Sequence, residues 1–300
     1  MSDRQKIIFA LENHPLVDAL AVQLHANIGK YDTRQFPDGE SYIRLQCEVE
    51  NKHCVVVADL SHPNNKYLPL LFLLDTLKEL GAASVGLVAP YLSYMRQDRR
   101  FIDGEAITSK IFARSLSSHI DYLVTVDPHL HRYHSLDEIY SVPSRVVQGA
   151  PALANWLKNQ NDLLLVGPDE ESEQWVSGIA NYSQHPYIIG RKTRYGDRSV
   201  EINLPNVEPY LNRTAVIIDD VISSGQTVLC CIDELQKQGI EQIKCAAIHG
   251  IFADNSDQAL LKTGLTALVT TNTIVHDSNH INIAYLLIEP LNECISLVAK

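Results

Sequence analysis

Short apolar runs alternate with segments of helical periodicity along the whole chain. These runs lack the period-two alternation of a half-exposed strand. Continuous apolar runs are typical of parallel strands that are covered by helices on both faces. Eight of them are predicted as strands: KIIFAL (6–11), CVVVADL (54–60), SVGLVAP (84–90), YLVTV (122–126), LLLVG (163–167), AVIID (215–219), KCAAIHG (244–250) and ALVTT (267–271). The alternating order predicts an α/β fold built on mainly parallel sheets.

Two of the intervening segments carry clear amphipathic helical patterns. Residues 68–80 repeat leucine at helical spacing along one face, and Gly81 follows as a residue suited to a helix end. Residues 226–239 place apolar side chains four and then three positions apart and end in glycine. Both segments are predicted to be helices that pack on a sheet.

The alternation is interrupted once, near the middle of the chain. The stretch SVPSRVVQGAP (141–151) contains two prolines and a glycine, and a chain of 300 residues is long enough for two hydrophobic cores. We therefore predict two similar α/β domains, 1–147 and 148–300. The last residues of the chain are a candidate for packing back on the first domain.

Composition is that of a soluble globular protein, with 45% hydrophobic and 20% charged residues. No apolar run reaches the about 18 residues that span a bilayer, and the first residues lack the pattern of a signal peptide. The six cysteines form no CxxC pair and no zinc-binding spacing. We therefore expect reduced thiols, a cytoplasmic location and no membrane partner.

The formal net charge of −11 argues against a nucleic-acid partner, because no basic stripe is available to neutralise a phosphate backbone. Phosphorylated small molecules are still compatible with this charge. An acidic protein binds them through local basic loops, helix N-termini and bridging metal ions.

Ligands of doubly wound α/β folds bind beyond the carboxyl ends of the strands. The stretch VIIDDVISSGQTV (216–228) places two aspartates at such a strand end and follows them with small residues and a predicted helix. Small side chains at a helix N-terminus let backbone N–H groups approach an anion. The aspartates can accept hydrogen bonds from sugar hydroxyls or hold a hydrated divalent cation. Together these features favour a ribose 5-phosphate site over a plain capped helix with solvated acids.

This stretch resembles the phosphoribosyl-diphosphate motif of type I phosphoribosyltransferases. Further segments occur in the order typical of the ribose-phosphate pyrophosphokinase family: FPDGESYIRL (36–45), YLSYMRQDRRFIDGEAITSK (91–110), VDPH (126–129), GPDEESEQ (167–174) and RKTR (191–194). The resemblance covers nearly the whole chain. It implies two tandem type I phosphoribosyltransferase-like domains, each a mainly parallel sheet with helices on both faces.

The resemblance also implies a role for particular residues. ATP binding is assigned to Phe36, Asp38, Glu40, Arg96 and Gln97. Ribose 5-phosphate binding is assigned to Asp219, Asp220, Ser223, Ser224, Gly225, Gln226 and Thr227. Metal binding, directly or through water, is assigned to His129 and Asp169, and closure over the transferring diphosphate to Lys192 and Arg194.

The implied activity is transfer of the diphosphoryl group of MgATP to O1 of ribose 5-phosphate. The substrates are therefore expected to be ATP and ribose 5-phosphate, and the cofactor Mg²⁺. In the family a neighbouring subunit often supplies the adenine loop, which implies a homo-oligomer of at least two copies.

Two alternatives stay open at this point. A phosphoribosyltransferase would use phosphoribosyl diphosphate instead of making it, but it would not need the ATP-side segments. A non-catalytic relative would be expected to lose the loop cations or the acid pair, and this chain keeps both. For single segments, an ordinary turn at 36–39 and an exposed hairpin around 192 are the plainer interpretations.

The chain departs from the commonest family pattern in the sugar-phosphate loop, where Ser223 and Ser224 replace the usual second acid and threonine and Gln226 replaces a glycine. Two other loops depart more clearly. DPHLHRYH (127–134) stands where D-L-H-A-x-Q-I-Q-G is more typical. GPDEESEQ stands where a glycine-rich continuation usually follows the aspartate. Three histidines in the first loop suggest zinc, but cysteine partners at useful spacing are missing from the sequence, which favours a hard cation. Both departures indicate a divergent branch of the family.

Overall fold

The computed structural model describes three stretches of the chain: 5–130, 132–195 and 199–299. For residues 193–195 and 199–200 it describes the backbone alone. Arg194 belongs to that group, so its side chain lies outside the described part. Across the three stretches, no helix has the length and apolar character needed to cross a membrane.

The chain divides into two compact units. Unit 1 comprises the described residues of 1–148 and 283–300, and unit 2 comprises Gly149–Asn282. The first division falls within the interrupted stretch of the sequence. The last segment leaves unit 2 and belongs to unit 1, whereas the sequence-based limits run the second domain to residue 300.

Unit 1 is built on a six-stranded parallel sheet with an added antiparallel hairpin. Its strands are β1 (Lys6–Ala10), β2 (Asn27–Ile28), β3 (Tyr31–Gln35), β4 (Ser41–Leu45), β5 (His53–Val57), β6 (Ser84–Ala89), β7 (Tyr122–Val126) and β8 (Ser144–Val147). Its first helices are α1 (Leu16–Leu24), α2 (Asn64–Glu79) and α3 (Thr108–Ser117). The sheet order is β2-β1-β5-β6-β7-β8, and β3 pairs with β4.

Unit 2 has the same architecture. Its strands are β9 (Leu163–Gly167), β10 (Tyr187–Ile189), β11 (Arg191–Tyr195), β12 (Ser199–Asn203), β13 (Thr214–Ile222), β14 (Ile243–Gly250), β15 (Ala267–Thr271) and β16 (Asn279–Ile281). Its helices are α4 (Ala150–Leu157), α5 (Glu173–Ser183), α6 (Gln226–Lys237) and α7 (Ser256–Lys262). The sheet order is β10-β9-β13-β14-β15-β16, which repeats the order of unit 1 strand for strand.

The last helix, α8 (Ala284–Val298), packs in unit 1 against α1, β6, β7 and β8. Two polar contacts join it to the strands of that unit. Arg145 donates from Nε to Glu293 Oε2 at 2.7 Å, and Lys6 Nζ donates to Asn292 Oδ1 at 3.1 Å. These contacts make α8 part of unit 1 although it follows unit 2 in sequence.

Both faces of each sheet are buried, which explains the continuous apolar runs. In β5, Cys54 and Val56 join the core formed with α2 and α3. Val55 and Val57 alternate with them and are equally buried on the opposite face. In unit 2 the alternate residues of β13 behave in the same way, with Ile217 in the core that includes α6.

The eight predicted strands are all present as β1, β5, β6, β7, β9, β13, β14 and β15. Strands β2, β8, β10 and β16 and the β3–β4 hairpin were not predicted, because they are short or polar and carry no long buried run. The β11–β12 hairpin corresponds to the exposed hairpin that the sequence left open as an alternative around residue 192. Helix α2 begins at Asn64, earlier than the predicted residue 68, so that Pro69 lies inside it. The predicted helix-end glycines Gly81 and Gly239 have φ values of 86° and 92°, which favour glycine.

Gly86 gives a test of packing in the sheet of unit 1. A Cβ at Gly86 would overlap the fully buried ring of Tyr122 on the neighbouring strand. We expect Gly86→Ala to lower the free energy of unfolding by about 3 kcal/mol. Urea unfolding followed by circular dichroism measures this change.

The matched control is Gly178→Ala in α5, where a Cβ meets no atom within 4 Å. There the alanine is expected to raise stability by about 0.5–1 kcal/mol, because it reduces the freedom of the unfolded chain. Equal effects of the two substitutions would contradict the packing described for Gly86.

Candidate active site

The predicted sugar-phosphate loop joins β13 to α6 in unit 2. Residues 223–225 separate the two elements, and Gly225 turns the chain with a φ of 71°. The carbonyl oxygen of Ser223 accepts hydrogen bonds from the amide of Ala253 at 3.0 Å and the hydroxyl of Ser256 at 2.8 Å. The loop is therefore tied to the residues that begin α7.

The N-terminus of α6 adds donors at this loop. Backbone N–H groups in the first turn of a helix have no intrahelical partner and carry partial positive charge. Ser224 and Gln226 are exposed there, and Thr227 is half-buried. This combination of hydroxyls and backbone amides suits a phosphate group.

Asp219 and Asp220 lie in the last part of β13, because the strand continues to Ile222. The sequence predicted that the strand ends at 219. Both aspartates are half-buried, and Asp219 Oδ1 accepts a hydrogen bond from the amide of Asp220 at 3.0 Å. The acid pair is thus held on a strand rather than on a loose loop.

The carboxylate of Asp219 is electrostatically unfavourable in this position. Burial, followed by repulsion from Asp220 and Asp169, raises the pKa of Asp219 well above its usual range. β9 and β13 are hydrogen-bonded neighbours, so the loop that follows β9 comes close to the acid pair. Asp169 is distant in sequence from Asp219 and Asp220, but the sheet brings the three carboxylates close together.

A lysine compensates part of this negative charge. Lys192 of β11 donates from Nζ to Asp169 Oδ2 at 3.1 Å, and both side chains are half-buried. Asp169 is also fixed through its Oδ1, which accepts from the amide of Ser172 at 3.3 Å. The structure thus brings together four of the predicted residues of unit 2: Asp169, Lys192, Asp219 and Asp220.

Arg194 lies in β11, two positions beyond Lys192. Its side chain and residues 196–198 are outside the described part. The role assigned to Arg194 stays a prediction.

The predicted adenine loop is the turn of the β3–β4 hairpin in unit 1. The amide of Phe36 donates to the carbonyl of Glu40 at 2.7 Å, and Asp38 Oδ1 accepts from the amide of Glu40 at 3.2 Å. Gly39 closes the turn with a φ of 92°. The three assigned residues of this segment therefore share one short, hydrogen-bonded turn.

Two residues that the sequence did not single out hold the ring of Phe36. The guanidinium of Arg34 lies 4.6 Å from the centroid of the Phe36 ring and 4.7 Å from that of Tyr42. The rings of Phe36 and Tyr42 meet edge to face at 6.3 Å. Arg34 and Tyr42 are partners in the hairpin register. Recognising the hairpin in the sequence would have found them.

Arg96, Gln97 and His129 follow the neighbouring strands β6 and β7. Arg96 is exposed, and the carbonyl of Gln97 accepts from the amide of Ser109 at 3.3 Å. His129 has a φ of 54° and is half-buried. These residues lie in loops that leave adjacent parallel strands, at the edge where ligands of such sheets bind.

The two predicted metal positions belong to different units, His129 to unit 1 and Asp169 to unit 2. Among the described residues, no group of three or more His, Cys, Asp or Glu side chains is arranged as a metal-binding cluster. Asp169, Asp219 and Asp220 supply the carboxylate oxygens that Mg²⁺ prefers, in a place with excess negative charge. Mg²⁺ is usually held by one or two carboxylates together with waters and substrate phosphates, so it does not require a preformed cage. The donor set of unit 2 fits this ion.

The raised pKa of Asp219 makes a prediction about stability. A raised pKa in the folded state stabilises the fold while the carboxyl is protonated, and this contribution is lost as pH rises through the raised pKa. At pH 7, which lies above the ordinary pKa of an aspartate, Asp219 therefore makes the protein less stable than a neutral side chain would. We expect Asp219→Asn to raise the free energy of unfolding at pH 7 by at least about 1 kcal/mol, as measured by urea unfolding without metal ions.

The matched control is Asp233→Asn, which removes an exposed carboxylate paired with Lys237 in the same unit. Its effect is expected to be much smaller, because solvent screens an exposed pair. A loss of stability in Asp219→Asn would contradict the repulsion described among the three aspartates.

Comparison with protein families gives matches in both units. A model described as the N-terminal domain of ribose phosphate pyrophosphokinase matches residues 6–119. A model described as a phosphoribosyl transferase domain matches residues 135–285. The two matched regions contain all the predicted site residues except His129.

Similar proteins extend the likeness over most of the chain. A ribose-phosphate pyrophosphokinase of Methanopyrus kandleri is 32% identical over 269 residues, which are 88% of this chain and 91% of that protein. One of Saccharolobus solfataricus is 32% identical over 274 residues, 89% of this chain and 92% of that protein.

The fold is also that of a solved structure. Phosphoribosylpyrophosphate synthetase from Mycobacterium smegmatis superposes with a TM-score of 0.82 at 23% identity, covering 98% of this chain and 100% of that chain. With two family models, relatives above 30% identity and this shared two-domain fold, the chain belongs to the ribose-phosphate pyrophosphokinase family.

Proposed function

We propose that the protein transfers the β,γ-diphosphoryl group of MgATP to O1 of ribose 5-phosphate, giving phosphoribosyl diphosphate and AMP. Family membership over nearly the whole chain supports this reaction. The observation that carries it is the contact between Lys192 and Asp169 beside the acid pair of β13. A cation beside clustered carboxylates, near a phosphate-binding loop, suits the handling of a charged diphosphate.

The sugar phosphate is bound in unit 2. The N-terminus of α6 and the hydroxyls of Ser223, Ser224 and Thr227 hold the 5-phosphate through charge-assisted hydrogen bonds. Asp219 and Asp220 accept hydrogen bonds from the ribose hydroxyls. Since the acid pair lies on a strand, it orients the sugar from a rigid element.

The nucleotide is bound by loops of unit 1. The ring of Phe36, braced by Arg34 and Tyr42, offers a partly exposed face for a base. Asp38 and Glu40 in the same turn accept hydrogen bonds from the adenosine moiety. The other ATP contacts come from the loop after β6, through Arg96 and Gln97.

In the transfer step, O1 of the ribose attacks the β-phosphorus. The bond between that phosphorus and the oxygen bridging to the α-phosphate breaks, and the O1 proton passes to solvent. Lys192 and Arg194 neutralise the charge that grows on the diphosphoryl oxygens. For this, Lys192 exchanges its contact with Asp169 for a contact with the diphosphate.

Mg²⁺ is proposed as the cofactor, and in unit 2 the residues that would hold it are Asp169 and the acid pair. The metal-binding role that the resemblance assigns to His129, directly or through water, belongs to unit 1. When bound, the ion neutralises phosphate charge. The carboxylate excess around Asp219 supports this assignment. Release of Asp169 from Lys192 makes one more carboxylate available for the ion.

We also propose a homo-oligomer in the cytoplasm. Phe36 is exposed at the tip of a hairpin, where a neighbouring copy can use its ring. The six cysteines all lie in the described stretches, and none of them forms a disulfide, as expected in a reducing compartment.

The deciding experiment measures AMP released from MgATP in a coupled assay, with and without ribose 5-phosphate. Strict dependence on the sugar phosphate is expected, because O1 is the attacking atom. If AMP is not formed in the presence of Mg²⁺ and phosphate, the proposed activity is wrong. Sugar-independent AMP release would point to hydrolysis instead.

The second test is Lys192→Ala. We expect kcat to fall by at least about a hundredfold, because the lysine stabilises charge that develops during transfer. Binding of ribose 5-phosphate, measured by calorimetry, should be nearly unchanged.

The matched control is Lys237→Ala, which removes a second Lys–Asp pair of unit 2 that is exposed on α6. Its kinetics are expected to match the parent protein. Unchanged turnover in Lys192→Ala would show that the lysine does not act on the diphosphate.

A further inference from the structure

A buried carboxylate lies next to the two residues assigned to ATP in the loop after β6. The side chain of Asp98 is 2% exposed. In sequence it follows Arg96 and Gln97 directly. A buried carboxylate is costly unless it is paired, so the group that pairs with Asp98 decides whether this loop keeps its shape.

That group is Arg132, from the loop after β7. Its Nη1 donates to both carboxylate oxygens of Asp98, at 2.8 and 2.9 Å. Asp98 and Arg132 are 34 positions apart in sequence. The ion pair therefore fastens the loop after β6 to the loop after β7, in which His129 lies.

The side chain of Tyr133 holds the same loop by a hydrogen bond to the backbone of Asp98. The Tyr133 hydroxyl donates to the Asp98 carbonyl oxygen at 3.0 Å and lies 2.9 Å from the hydroxyl of Ser109 near the start of α3. The amide of Ser109 in turn donates to the carbonyl of Gln97 at 3.3 Å. Two consecutive residues of one loop thus fix both the side chain and the backbone of Asp98.

Arg132 also lies near the residues beyond Asp98, where Arg99 is 4.9 Å from the centroid of the Phe101 ring. Phe101 and Ile102 are exposed, and their amides donate to the nearby Glu105 Oε2 at 2.8 and 3.1 Å. The guanidinium of Arg132 lies 5.3 Å from the centroid of the Phe101 ring. Arg132 therefore supports this segment at two points, Asp98 and Phe101.

We infer that Arg132 and Tyr133 are positioning residues for ATP, which hold the loop of Arg96 and Gln97 in its binding conformation. This inference rests on the proposed function. The typical family pattern carries glutamine and isoleucine at these two positions. A neutral glutamine at position 132 would leave the buried Asp98 carboxylate without the cation that pairs with it here.

Loss of the ion pair between Asp98 and Arg132 is expected to change the affinity for ATP more than the rate of the transfer step. When a binding-competent loop is populated only in part, the apparent dissociation constant rises in inverse proportion to that fraction, while the filled site still turns over. Loss of the ion pair should therefore raise KM for ATP and leave kcat at saturating ATP nearly unchanged. The sugar-phosphate loop lies in unit 2, so KM for ribose 5-phosphate should not change.

The test is Arg132→Gln in the full-length protein, which restores the residue of the typical pattern. We expect KM for ATP to rise about tenfold, with kcat and KM for ribose 5-phosphate within about twofold. Arg132→Lys should recover part of the loss, because one nitrogen makes both contacts with Asp98. The matched control is Arg145→Gln, which breaks the partly exposed pair with Glu293 in the same unit.

A second measurement separates this inference from the proposed activity. Hydrogen–deuterium exchange of the amides of residues 95–102 should be at least about tenfold faster in Arg132→Gln than in Arg145→Gln. If the parent protein forms no AMP, the proposed function is wrong, and the exchange rates still decide whether Arg132 holds the loop. Unchanged exchange would overturn the inference. So would an unchanged KM for ATP in an active protein, even with a lowered melting temperature, because the pair would then be structural alone.

Discussion

Repulsion among Asp169, Asp219 and Asp220 is the interaction on which the candidate site of unit 2 depends. The fold imposes it, because β9 and β13 are neighbours in the sheet and their carboxyl ends meet at one edge. Burial adds to the cost, as the raised pKa of Asp219 shows. Lys192 is a cation that the structure brings to this cluster, where it pairs with Asp169.

The position of Lys192 has two sources. Its strand, β11, pairs with β12, which packs on α6 through the buried Ile202. Its Nζ atom is in addition held by Asp169 at 3.1 Å. In the proposed reaction, a diphosphate would offer the lysine a new partner, and a divalent ion would offer one to Asp169. Such an exchange would leave neither Lys192 nor Asp169 unpaired, which would lower the cost of moving the lysine.

The two units show how one topology carries different loops. β5 of unit 1 occupies the place that β13 has in unit 2. It is followed by Asp59, which accepts from the amide of Ser61 at 2.7 Å and from Lys66 Nζ at 3.3 Å. That carboxylate is therefore neutralised within its own loop and helix, whereas the acid pair of β13 lies beside a third carboxylate. The β3–β4 hairpin of unit 1 also corresponds to the β11–β12 hairpin of unit 2. Arg34 is the fourth residue of β3, and Arg194 is the fourth residue of β11.

Sequence patterns predict the parts of this protein that hydrophobic burial determines. The central strands are found because both their faces are buried, and the acid pair is found because it follows such a strand. The β3–β4 hairpin is missed, and the β11–β12 hairpin is foreseen only as an alternative, since most of their residues are polar and only a few side chains, such as Ile43 and Ile202, reach a core. The contact of Lys192 with Asp169 and the bracing of Phe36 by Arg34 depend on strand order and hairpin register, which local patterns do not contain.

The two divergent loops then take on a specific meaning. In the loop after β9, Asp169 keeps its carboxylate, and its side chain accepts from the amide of Ser172 where a glycine-rich continuation is more typical. In the loop after β7, His129 is kept, while Arg132 adds a cation that pairs with Asp98. Both loops lie beside assigned residues, and in both a side chain or amide of the same loop region holds a carboxylate: Ser172 holds Asp169, and Arg132 holds Asp98. In this chain the two loops therefore support groups to which the proposed reaction assigns a role.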